Sequence, residues 1–212
     1  WDTGQYIENQ LRWRTHRGQH QWERSFNMIS TRGCPFRCSF CGEDTDSLRR
    51  RSLESIFDEI DEIVTKFDVE HIHFSDGLFI HNRKRAVAFC EEYDRRGESF
   101  TWSGNARVDI VNEELILRIK ESGCNHLSYG FESGSPEMLK AMNKTTKVEQ
   151  AARALKWARK HEIGVGSSFI WGAPGETYRT MAQTAWFIIK HQFKPSAMNF
   201  MMVYPGTPDW FY

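Results

Sequence analysis

Five times between Phe26 and Tyr212, a short run of strand-forming residues is followed by a longer run whose apolar positions recur every three or four residues. A helical crossover returns the chain to the edge from which each strand began, so strand-then-helix order demands a parallel sheet with right-handed connections. The clearest unit begins at the N-cap Ser52, after which Leu53, Ile56, Phe57, Ile60, Ile63, Val64 and Phe67 define an amphipathic helix over 53–67. Strands are predicted at 26–31, 71–75, 99–103, 126–130, 163–170 and 197–203. Further helices are predicted at about 83–96, at 113–121 between Asn112 and Gly123, from Ser135-Pro136, from a Thr146/Glu149 capping box to about Lys160, and at 178–191. Six strand-helix units result, the last without its helix. A closed eight-unit barrel wants roughly 250 residues, and the chain has 212. A six-strand partial barrel and an open doubly wound sheet are left. In both, ligands bind in the loops that follow the strands' carboxyl ends.

The first such loop carries the strongest chemical signal. It reads Gly33-Cys34-Pro35-Phe36-Arg37-Cys38-Ser39-Phe40-Cys41, so three of the five cysteines fall within eight residues. Thiolates bind soft metals. Tetrahedral zinc would need a fourth ligand, for which His16 or His20 is available. A four-iron cluster on three cysteines would keep one iron open, as a catalytic metal site requires, and a plain electron-carrying cluster is the third option. Cys90 in a helix and Cys124 at a strand start are read as buried small hydrophobes. His71 and His73 are read as sheet histidines, one of them facing inward.

Composition bounds the partners. Lys plus Arg and Asp plus Glu number 28 each, so no global field attracts nucleic acid or an anionic membrane. Arg49-Arg50-Arg51 and the segment with Trp13, Arg14, Arg17 and Trp22 form a local basic, aromatic surface of the kind that binds RNA, but such runs are usually solvated. No stretch of about 18 apolar residues occurs, and the odd cysteine count without a secretory leader points to reduced thiols in the cytoplasm. The start at Trp1 without Met suggests a piece of a longer protein, with 1–25 as an approach segment from a preceding domain and 26–212 as the core.

The spacing Cys34-x-x-x-Cys38-x-x-Cys41, with Phe40 before the last cysteine and the whole set after a first strand, resembles the radical S-adenosylmethionine (SAM) superfamily. The resemblance covers 26–204. It implies an α/β partial (β/α)6 TIM-like barrel in which Cys34, Cys38 and Cys41 hold a four-iron four-sulfur cluster and the open iron binds SAM. The implied reaction is reductive cleavage of SAM to a 5′-deoxyadenosyl radical, with a flavodoxin or ferredoxin as low-potential electron donor. SAM contacts carry over onto Phe40, onto Asp76 in Ser75-Asp76-Gly77 where the family usually has Gly-Gly-Glu, and onto Arg107 as a partner for the carboxylate. Glu132 and Ser133, in Gly130-Phe131-Glu132-Ser133-Gly134, match the ribose-contacting segment. Ile170, Gly172 and Gly175 match the family's G-x-I-x-G-x-x-G-E, with Ser168 in place of its first glycine. Arg32-Gly33-Cys34-Pro35-Phe36 and Tyr204-Pro205-Gly206-Thr207 are most similar to the members that carry a cobalamin-binding domain, so methyl transfer with cobalamin is the preferred chemistry. The alternatives are tRNA methylthiolation and a non-enzymatic zinc or RNA module.

Overall fold

The computed structural model describes residues 4–6, 8, 24–43 and 47–211. Its main sheet has six parallel strands in the order β1 (Ser25–Met28), β4 (His71–Phe74), β5 (Thr101–Ala106), β6 (Cys124–Glu132), β7 (Gly164–Trp171), β8 (Ala197–Phe200). Chain order and spatial order coincide along this sheet, which curves into an open half-barrel edged by β1 and β8. The helices are α1 (Leu53–Phe67), α2 (Arg83–Arg96), α3 (Glu113–Glu121), α4 (Pro136–Ala141), α5 (Val148–Lys160) and α6 (Tyr178–Lys190).

The two faces of the sheet differ in kind. On the outer, helix-covered face lie Phe57, Ile60, Ile72, Phe74, Phe89, Trp102, Ile116 and Ile119, all buried in one core. Trp102 sits 5.3 Å from Phe89, centroid to centroid, and its indole N–H donates to Ser122 O at 2.7 Å, so burial leaves no donor unpaired. Cross-strand partners share a face, and His73, Ser103, His126 and Gly164 are successive partners, as are Asn105, Ser128 and Gly166. The inner face is therefore lined with small and polar side chains. Gly166 keeps this face open, because a Cβ there would stand 2.8 Å from Ser128 Oγ and 2.9 Å from His126 Nε2 and displace those side chains.

Several expectations shift. Residues 26–31 are not one strand: β1 stops at Met28, and β2 (Thr31–Arg32) pairs antiparallel with β3 (Arg49–Arg50). The basic run is thus one side of a hairpin whose loop carries the cysteines. Ser103-Gly104-Asn105 lies inside β5, where Gly104 admits the Phe79 side chain at 3.2 Å from a notional Cβ. The N-cap of α5 is Lys147 in place of Thr146, and its backbone N–H donates to Gln150 Oε1 at 2.7 Å. His71 and His73 face the same side, since residues two apart in a strand do; both ring systems meet Ser103 Oγ, at 2.9 and 2.8 Å. Cys90 and Cys124 are buried, and Ser122 Oγ donates to Cys90 Sγ at 3.0 Å. Of the approach segment, residues 4–6 and 8 are helical, and Tyr6 packs edge-on to Phe26 at 5.8 Å. The rest of that segment before Arg24, with His16, His20, Trp13, Arg14, Arg17 and Trp22, lies outside the described residues.

Candidate active site

At the carboxyl ends of the strands a cleft of 360 Å³ opens onto the inner face. Cys34, Cys38 and Cys41 line it together with Phe36, Phe40, Glu43, Asn105, Arg107, Ser128, Glu132, Lys144 and Ser168. Loops after β2, β5 and β6 thus meet the cysteines, as the topology demands.

The cysteine loop is held from distant parts of the chain. Ser39 N donates to Met142 O at 3.0 Å, Asn143 Nδ2 donates to Arg37 O, and Ser39 Oγ donates to Asp209 Oδ2 at 2.9 Å. All three cysteines are half-buried. Burial pushes the Cys34 and Cys38 thiols up, an effect that Arg107 and, for Cys38, Lys144 partly offset. Metal binding here must expel those protons. Among the described residues no three Cys, His, Asp or Glu side chains converge on one ion-sized point. A zinc site needs its ligands at 2.0–2.3 Å from a single ion, whereas a cluster offers each cysteine its own iron. Three half-buried thiols in one loop are a donor set that suits an iron–sulfur cluster.

Glu132 is the most constrained residue in the cleft. It ends β6 at a register shift between Gly130 and Glu132, with φ of +62°, a left-handed conformation that costs a non-glycine residue roughly 1–3 kcal/mol. Its carboxylate accepts from Lys144 Nζ at 2.6 Å and Ser168 Oγ at 3.3 Å, and both members of the ion pair are 8% exposed. Arg107 is likewise paired: Nε and Nη2 donate to the two oxygens of Asp109 at 3.0 Å, Nη2 also donates to Thr145 Oγ1 at 2.9 Å, and the guanidinium lies 3.5 Å from the centroid of Phe36. Phe40 and Ile170 pack with Met138, Met142, Ala173 and Met201 in an apolar patch beside the cysteine loop.

The expected site residues divide. Cys34, Phe40, Cys38, Cys41, Arg107 and Glu132 share the cleft. Asp76 does not open onto it: the side chain is 1% exposed, and its two oxygens accept from Ser30 N at 2.7 Å, Thr31 N at 3.0 Å and Ser30 Oγ. That carboxylate braces the chain ahead of the cysteines. Ser133 also turns away, its Oγ engaged by Thr184 Oγ1 at 3.0 Å and Ser135 N at 3.1 Å. Ile170 joins the apolar patch, and Gly172 and Gly175, with φ of +76° and +82°, shape the turn after β7 without lining the cleft. Lys144, Glu43 and Asp209 were not foreseen. Lys144 lies in Asn143-Lys144-Thr145-Thr146, where nothing local marks a lysine that folds back onto a carboxylate twelve residues earlier.

An open parallel half-barrel with three cysteines in the loop after its first strand defines a metal-cluster enzyme scaffold. Residues 28–188 match the model of the radical SAM superfamily, and the chain belongs to it. The chain is 31% identical over 188 residues to an uncharacterized methyltransferase of Pyrococcus horikoshii, covering 87% of this chain and 41% of that protein. It is 33% identical over 178 residues to the anaerobic magnesium-protoporphyrin IX monomethyl ester cyclase of Rubrivivax gelatinosus, covering 82% and 32%. The radical SAM methyltransferase TsrM of Kitasatospora setae, solved with cobalamin and a [4Fe-4S] cluster, has the same fold at TM-score 0.75 and 20% identity, covering 86% of this chain and 35% of that one. The chain spans less than half the length of each of these relatives. Among the described residues no helix is long and apolar enough to cross a membrane.

Proposed function

We propose that the protein is a radical SAM enzyme whose cluster is held by Cys34, Cys38 and Cys41 and whose SAM occupies the cleft between that loop and the ends of β5 to β7. The observation that carries this is the meeting of all three cysteines with Glu132, Lys144 and Arg107 in one cleft. When bound, the cluster supplies one electron to the sulfonium of SAM, yielding methionine and a 5′-deoxyadenosyl radical that takes hydrogen from a substrate. The chain's own residues bind and orient. Glu132, fixed by Lys144 and Ser168, presents a carboxylate to the ribose hydroxyls. Lys144 and Arg107 line the same cleft and supply two cations that could pair with the methionyl carboxylate, Arg107 being stacked on Phe36. The apolar patch of Phe40, Ile170 and Met201 offers the adenine a surface.

The names of the relatives favour methyl transfer, with cobalamin supplied by a part of the protein outside this chain; a low-potential donor such as a flavodoxin or ferredoxin would supply the electron. The test is anaerobic reconstitution followed by reduction with dithionite. About four irons per chain and 5′-deoxyadenosine above a Cys38→Ala control are expected. A colourless protein with one zinc, or a reduced cluster that never cleaves SAM, refutes the proposal.

A further inference from the structure

We infer that Asp209 is a positioning residue for the cysteine loop and that its carboxylate lowers the reduction potential of the cluster held there; the inference rests on the cluster assignment above. Asp209 follows a turn locked by Gly206 at φ +86° and by buried Thr207, whose N and Oγ1 both donate to Tyr204 O, at 3.1 and 2.8 Å. That turn sets Asp209 against Ser39, which stands between Cys38 and Cys41 and is 7% exposed. Two bonds join them: Ser39 Oγ donates to Asp209 Oδ2 at 2.9 Å, and Asp209 N donates to Ser39 O at 3.3 Å.

Two effects follow from this contact, and both act in the same direction. A fixed negative charge beside a centre that gains an electron opposes the gain. The Ser39 proton, committed to the carboxylate, is also withheld from the neighbouring cysteine sulfurs, and hydrogen bonds to sulfur raise a cluster's potential. Two of the cations near the thiolates are neutralised by carboxylates, Arg107 by Asp109 and Lys144 by Glu132. Glu43 acts on the Cys34 side of the loop. The step affected is a one-electron reduction, in which a low-potential donor loses one electron, the cluster gains it, and no bond is made or broken. A lower potential makes the cluster harder to reduce and, once reduced, a stronger donor to the sulfonium.

Reconstituted wild type, Asp209→Asn and Asp209→Glu proteins would be compared by iron content and by anaerobic redox titration followed by electron paramagnetic resonance. Asn keeps the acceptor for Ser39 and removes the charge. Asp209→Asn should retain its iron and shift the reduction equilibrium about tenfold toward the reduced form, which is ~59 mV for a one-electron couple. Asp209→Glu should titrate with wild type. An Asn variant that retains iron at the wild-type potential overturns the inference, as does a Glu variant shifted as far as Asn. If Asn loses the cluster while Glu keeps both iron and potential, the charge requirement stands; if both lose it, the contact only shapes the loop and the inference falls. A wild-type chain that takes up no iron, or that binds a cluster without cleaving SAM, fails the earlier proposal instead, by a readout separate from the potential.

Discussion

Replacing Lys144 with Met tests the cleft's charge arrangement without any cofactor. Met retains the length of the apolar stem and removes the ammonium, leaving the Glu132 carboxylate, 8% exposed, with Ser168 Oγ at 3.3 Å as its remaining partner among those described. Removing one member of a buried pair costs 3–5 kcal/mol because the other charge stays buried uncompensated, and water in the adjoining cleft brings this to about 3 kcal/mol. For a chain of this length each kcal/mol moves the melting temperature by about 2–4 °C, so the apoprotein should melt roughly 6–12 °C below wild type. Adding Glu132→Gln removes the stranded charge and should recover most of that loss, since exchanging both partners of a buried pair is nearly neutral. Calorimetry on the four members of the cycle measures the coupling. A Lys144→Met protein that melts with wild type, or a double variant whose loss equals the sum of the singles, refutes the reasoning.

Burial, and then a hydrogen bond that the protonated Glu98 donates to the Asp61 carboxylate, raises the Glu98 carboxyl to about 7. The folded state therefore holds a proton that the unfolded state releases at its ordinary value near 4.5, so stability falls as pH rises between the two; Glu98→Gln should flatten that fall in urea midpoints measured from pH 5 to 8, and an unchanged slope counts against it. Gly123 has φ of +88°, and a Cβ there would stand 2.6 Å from Phe100 O and 2.8 Å from Tyr93 Oη. Gly123→Ala should cost about 2 kcal/mol or more in urea unfolding, and a variant as stable as wild type contradicts the strain. Cys90→Ser and Cys124→Ser should reconstitute with wild-type iron content, because both thiols are buried away from the cleft; loss of iron in either would reveal a fourth protein ligand.

Regular elements were legible because each announces itself locally. The Ser52 cap and the heptad-like apolar spacing behind it define α1, and Ser52 Oγ does accept from Ser55 N at 3.1 Å. The three cysteines were legible for the same reason, being local in sequence. What escaped depends on partners far along the chain. The arginines of β3 are exposed, as a solvated run should be, but their pairing with Thr31 and Arg32 had no local signal. Asp76 looks like a ligand-facing acid until Ser30 and Thr31 are seen to occupy it, and Ser133 looks available until Thr184 arrives from α6. Lys144 and Asp209 act only through contacts made across the top of the sheet.

The dependence of the cysteine loop on Met142, Asn143 and Asp209 bears on the order of biogenesis. The cysteines leave the ribosome early, but the last of the groups that shape their loop is synthesised 170 residues after Ser39. Contacts of such separation close late, after the loop-closure entropy of nearly the whole barrel has been met. A nascent chain therefore carries three thiols without the frame that spaces them, and we expect iron delivery to be productive only once Asp209 has emerged and docked on Ser39. Productive cluster assembly on ribosome-bound chains stalled before Asp209 has emerged would contradict that order.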